Sequence, residues 1–203
     1  MTHYSTFILN TLLGVRWRFA RFLFSNHQHN LLKSVMQRLT GTRLFSHVGK
    51  RSLSGSIDVH THMYTPKYMD ILRKRTDIPK VSRISGVDRL IILPDEEKEK
   101  TTTAGRPIGR EYFDVEAKLR FMEVHQISKS VISLANPWLD FLEGQEAASV
   151  AQELNDELQS ICEQSNGKLF GFASLPMRNP KAAIKEVERI AKLNCMRGVI
   201  LGK

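Results

Sequence analysis

The sequence predicts an α/β fold of parallel strands covered by helices, and three observations support that reading. From Ser56 onward, short apolar segments alternate with longer segments of helical period. The short segments are apolar almost throughout, as strands buried on both faces are. The turn after the first of them reads "HTHMYTP", with no glycine-rich phosphate loop, so a dinucleotide-binding sheet is excluded. An open doubly wound sheet and a (β/α) barrel both satisfy this order.

The chain begins with a leader, residues 1–55. Within it "FILNTLLGVRWRFARFLF" aligns Ile8, Leu12, Val15, Phe19 and Phe22 on one helical stripe. Arg16, Arg18 and Arg21 in so short a run exclude a membrane span. No uninterrupted apolar core leads to a small-residue cleavage site, so a secretory signal is a poor fit. Basic, amphipathic and acid-free, the leader has a mitochondrial transit signature. Import into the matrix is expected, with a disordered extension on a cytoplasmic protein as the alternative. The net charge of +9 is concentrated here, because every acidic residue lies at or beyond Asp58. The remainder is nearly neutral and offers no basic surface for nucleic acid. Cys162 and Cys195 lack CxxC spacing and are read as reduced, buried thiols.

In the folded part, residues 56–203, Ile57 to His60 is the first strand. "DVEAKLRFMEV" is a helix with Asp114 as N-cap and Val115, Leu119 and Met122 inward. Val131 to Leu134 is the second strand, followed by a helix on which Ala147, Val150, Ala151, Leu154, Leu158 and Ile161 keep helical spacing. A third strand ends near Leu175. Asn179 then caps a helix with Pro180 in its first position and Ile184, Val187, Ile190 and Ala191 inward. "RGVIL" is the fourth strand.

One connection breaks the rhythm. Residues 64–113 separate the first strand from its helix, where such loops usually take about 2 to 6 residues. The segment holds a short helix around Lys67 to Arg75, a strand "RLIILP" and the charged, mobile run "DEEKEKTTTAGR". An insertion there hangs over the carboxyl ends of the strands, where α/β proteins bind ligands, and is read as a lid.

The candidate site begins with His60 and His62. On a strand, side chains at i and i+2 share a face about 7 Å apart, so the two imidazoles can converge on one divalent ion, Zn²⁺ suiting such donors. Structural or solvent-facing histidines are the alternative. His27 and His29 have the same spacing inside the leader, where no strand precedes them and no metal role is expected. His125 is read as a helix cap or surface residue. Asn136 and Trp138 follow the second strand and are candidates for the substrate pocket, an amide for hydrogen bonding and a flat ring for stacking; Trp138 reads equally as core. Arg106 and Arg110 could anchor a carboxylate or belong to a solvated loop. Met177 is read as packing.

"IDVHTHMYTP", "ANPWLDF", "LNDEL", "GFASLPMRNPKAAIKEVERI" and "RGVILG" stand in order and spacing that resemble the amidohydrolase superfamily, in its aminocarboxymuconate-semialdehyde decarboxylase-like branch. The resemblance covers nearly everything from Ile57 to Gly202. It implies a partial (β/α)8 TIM barrel of about four βα units, with His60 and His62 as metal ligands. It also implies two more histidines and an aspartate on later strands, and these have no counterpart here. Residues 56–203 fall short of the about 200 or more that a complete barrel takes. At Lys203 the chain departs from the family pattern. The expectation is therefore the amino-terminal half of a metal-dependent enzyme, with its catalytic acid among the missing strands and little activity by itself.

The function so implied is non-oxidative decarboxylation of a planar, conjugated carboxylic acid with a divalent metal ion, Zn²⁺ being expected. Hydrolysis of an amide or lactone would use the same histidines. A half-barrel that acts by association is the third reading, since its outer strands would expose unpaired edges that favour a homodimer.

Overall fold

The computed structural model describes residues 55–98 and 104–201, together with the backbone of 6–10 and 17–19. Its centre is a run of parallel strands, β3 (Ser56–His62), β7 (Ile127–Ser133), β8 (Leu169–Ser174) and β9 (Met196–Leu201), laid side by side in chain order. This is the curled sheet of half a barrel, as the repeated strand and helix order predicts. The strands run longer than expected at β3 and β7. The expected positions of β8 and β9 hold.

The helices cover one face. α3 (Val115–Val124) packs on β7 and α4 (Gly144–Gln164) on β8, with α5 (Pro180–Ile190) beside α4. Alternation along the strands divides the apolar residues between two cores. Ile132, Leu169, Ala173, Val199 and Leu201 face the helices and meet Met122, Leu158, Val187 and Ile190. Val131, Phe170, Phe172 and Ile200 face the barrel interior. Burial of each such aliphatic side chain contributes about 2 kcal/mol. At Gly171 the helix layer approaches closely, and an added Cβ would lie 2.9 Å from Met196 Sδ and 3.0 Å from Leu158 Cδ2.

The capping residues act as their types predict. Asp114 accepts from the Glu116 and Ala117 amides, and Asn179 from that of Ala182. A buried polar bracket ties α4 to β8: the Asn155 side chain donates to Ser174 O at 2.9 Å and to Glu186 Oε1 at 2.7 Å, and accepts from Ser174 N at 2.9 Å. Cys162 and Cys195 are free thiols, the first buried and the second half-buried. His125 is exposed at the end of α3, its N–H donating to Phe121 O, and Met177 packs on the helix-side core.

The insertion is more ordered than its composition suggests. After α1 (Pro66–Lys74) it forms a three-stranded antiparallel sheet of β4 (Lys80–Ile84), β5 (Val87–Ile91) and β6 (Arg106–Pro107), with α2 (Pro94–Lys98) between the last two strands. Only β5 was visible as a strand, because β4 is short, lacks a regular apolar period and gains its pairing only from β5. The charged run expected to be mobile starts as α2, and residues 99–103 lie outside those described.

At the other end of the sheet, β1 (Thr6–Asn10) pairs antiparallel with β9, and β2 (Trp17–Phe19) with β1. The helical stripe expected there is thus not what these two segments adopt. Thr6, Ile8, Trp17 and Phe19 are of types that suit pleated strands, and an open sheet edge supplies the hydrogen bonds that a lone helix would have to nucleate for itself. The rest of the leader, including His27 and His29, lies outside the described residues.

Candidate functional site

The site is built on an irregularity in β3. Its register against β7 slips between Asp58 and Thr61, where three residue steps oppose two. Asp58 and Thr61 both turn toward the helix layer: Asp58 accepts from Ser130 Oγ at 3.2 Å, and Thr61 Oγ1 from Lys118 Nζ at 3.0 Å. His60 and His62 both turn to the interior, their ring centroids 4.4 Å apart and edge to face. The backbone N–H of His60, displaced from the ladder, donates to Asp58 Oδ1 at 3.1 Å. A bulge next to a site re-aims side chains, and here it brings both imidazoles to one face.

The two rings converge on Ser133 Oγ, which lies 3.2 Å from His60 Nε2 and 3.2 Å from His62 Nδ1. Both rings are held neutral. Burial first and the neighbouring His62 second bring the His60 pKa down to about 4, against an opposing pull from Asp58. Burial and the Lys118 ammonium lower that of His62, opposed by its bond to the Leu134 backbone. Neutral imidazole is the form that binds metal, so the donor chemistry fits a divalent ion at this convergence. Among the described residues no group of three or more His, Cys, Asp or Glu is placed to hold an ion. The described residues thus supply two imidazole donors at this point.

A cleft of about 540 Å³ opens in front of the histidines. Asn136 and Trp138, on the loop after β7, form one wall; Tyr64 and Tyr112, at the two ends of the lid, form another. Leu90, Ile92 and Ile108 roof it from the lid sheet, and Arg106 brings in a guanidinium 3.4 Å from Glu96 Oε1. The structure thus gathers His60, His62, Asn136 and Trp138 around one space. Trp138 also packs on the interior core. Arg106 reaches the cleft, whereas Arg110 pairs with Asp114 outside it. Tyr64 and Tyr112 were missed. For Tyr64 the signal was present, since it continues the i, i+2 series from His60 and His62; for Tyr112 there was none, because only the lid's return path brings it here.

The structure is thus a parallel β/α half-barrel with an H-x-H pair at the carboxyl end of its first parallel strand. The relatives and structural neighbours of the chain are amidohydrolase-superfamily decarboxylases, similar to it over about 36–73% of its length. The gamma-resorcylate decarboxylase of Rhodococcus jostii (strain RHA1) is 32% identical over 75 residues, 36% of this chain and 23% of that protein. That of Rhizobium radiobacter is 29% identical over 75 residues. Among solved structures, IDCase of Metarhizium anisopliae in apo form is 37% identical with a TM-score of 0.67, covering 73% of this chain and 42% of that one. The 5-carboxyvanillate decarboxylase of Novosphingobium aromaticivorans, complexed with manganese and 4-hydroxy-3-methoxy-5-nitrobenzoic acid, shares the fold at 19% identity and a TM-score of 0.55, covering 74% of this chain and 42% of that one. No family model matches the chain. The chain spans about a quarter of the length of these curated relatives and under half of these two solved chains.

Proposed function

We propose that this chain carries the metal-binding and substrate-facing half of a carboxy-lyase that decarboxylates a planar aromatic acid without oxidation. The observation that supports it most directly is the convergence of His60 and His62 on one point at the floor of a cleft walled by flat rings and an amide. His60 and His62 would hold a divalent ion. Zinc suits two imidazoles, and manganese is the ion bound in the carboxyvanillate enzyme. A bound ion of this kind supplies Lewis acidity that orients substrate oxygens.

The remaining work falls to the chain's own groups. The Arg106 guanidinium can take a carboxylate in a two-point contact. Asn136 offers its amide to a ring substituent, and the rings of Trp138 and Tyr64 give flat faces for an aromatic acid. Leu90, Ile92 and Ile108 exclude water above the ring, which strengthens these polar contacts. The proton that replaces the carboxylate needs a donor, and among the described residues no carboxylic acid lines the cleft. We place that donor and the further metal ligands outside the described residues, and expect little turnover from this chain alone.

Equilibrium dialysis against Zn²⁺ and Mn²⁺, read by elemental analysis, tests the metal site. The wild-type chain should retain ion, and His60→Ala with His62→Ala should retain none. Equal retention by both would remove the foundation of the proposal. In any preparation that turns over, CO₂ release from 2,6-dihydroxybenzoate supports decarboxylation, and hydrolysis of a lactone or cyclic amide without CO₂ release supports a hydrolase. We also propose mitochondrial import, on the acid-free basic composition of residues 1–55. A fluorescent reporter fused to that segment and left in the cytosol would oppose it.

A further inference from the structure

The loop that carries Asn136 and Trp138 is tied at two backbone carbonyls. The Trp138 indole Nε1 is buried without a hydrogen-bond partner among the described residues. Its backbone is left-handed, with φ of 52°, a conformation costly for a bulky side chain unless the surroundings impose it. The surroundings here are two tyrosines. Tyr64 Oη donates to the Asn136 carbonyl at 2.8 Å, and Tyr68 Oη to the Trp138 carbonyl at 2.7 Å. Tyr68 is fully buried and Tyr64 is 5% exposed, so neither bond competes freely with water. Their rings stack at 5.8 Å, and Tyr112 stacks on Tyr64 at 6.1 Å.

We propose that Tyr64 and Tyr68 are positioning residues, which hold Asn136 and Trp138 at the substrate face of the cleft by grasping their backbone carbonyls. Tyr64 stands two residues past His62, so the strand that presents the imidazoles also sets the opposite wall. Tyr112 joins the same stack from the far end of the lid, which ties lid placement to that wall. Loss of either hydroxyl leaves the stack and its volume intact but frees one carbonyl and lets the loop relax. Substrate affinity should suffer while metal retention does not. The effect on affinity rests on the proposed function; the effect on Trp138 does not.

The test uses the full chain with Tyr64→Phe and Tyr68→Phe. In ligand-free protein, the Trp138 indole N–H resonance, separated from that of Trp17 by Trp17→Phe, should shift in Tyr68→Phe. With 2,6-dihydroxybenzoate as probe, either variant should bind about tenfold more weakly, about the loss of one buried hydrogen bond, while ion retention stays within about twofold. An unshifted resonance together with unchanged affinity would overturn the assignment. A shifted resonance in a protein whose wild-type form ignores the probe would uphold the positioning role and count against the substrate class.

Discussion

At the scale of single residues, Asp58 shows how one carboxylate sets the direction of its neighbours. It accepts both the displaced His60 N–H and the Ser130 hydroxyl, and Ser130 is fully buried. Asp58→Ala should cost about 1–3 kcal/mol in urea unfolding, the penalty of leaving such groups unpaired. It should also weaken ion retention, because the bulge that turns His60 inward loses its tie. The imidazoles add a pH dependence. As pH falls from 6.5 toward about 4, the unfolded chain takes up a proton at His60 that the folded chain refuses, so stability is lost through that window. His60→Ala should flatten this part of the profile, measured as urea midpoints across the same range. The pair itself was legible in the sequence because i, i+2 spacing is a local property. The slip that aims it was not, since it exists only relative to β7.

At the scale of elements, two tertiary fastenings fix how the pieces meet. Asn155→Ala would strip three partners from the bracket between α4, β8 and Glu186, and should cost about 3 kcal/mol by chemical denaturation. In the lid, Asp88 bridges α1 and its own sheet, with Arg83 Nε at 2.8 Å and an Arg73 guanidinium nitrogen at 2.8 Å. Chiefly through the Arg83 bond, its carboxyl is held below the usual range. A depressed acid stabilises the folded form above its unfolded pKa and loses that contribution as pH falls through its folded one. Acid should therefore loosen the lid, and Asp88→Asn should do the same at neutral pH, both seen as faster amide exchange in β4 and β5. The helices were legible from capping residues and period, as Asp114 and Asn179 show. The lid sheet was only half legible, because β4 has no signal apart from its pairing.

At the scale of the whole molecule, the order of strands and helices was readable because each unit announces itself in apolar period and turn chemistry. Closure was not, since it concerns the edges. Among the described residues β3 ends the sheet with one side unpaired, and exposed Val59 lies on it, with exposed Phe121 and Val124 on α3. Such an edge favours association. The chain should therefore run above monomer mass in light scattering, and Val59→Lys with Phe121→Glu should return it to monomer. A wild-type chain that stays monomeric at high concentration would refute this.

The lid's two ends are clasped to each other: Tyr64 N donates to Tyr112 O at 2.7 Å beneath their stacked rings. Whatever lies between is a loop with a closed neck, and lengthening such a loop costs little once its neck is made. With Tyr68 anchored in the core, a change of length in the outer part of the roof, between β5 and β6, need not displace the imidazole pair.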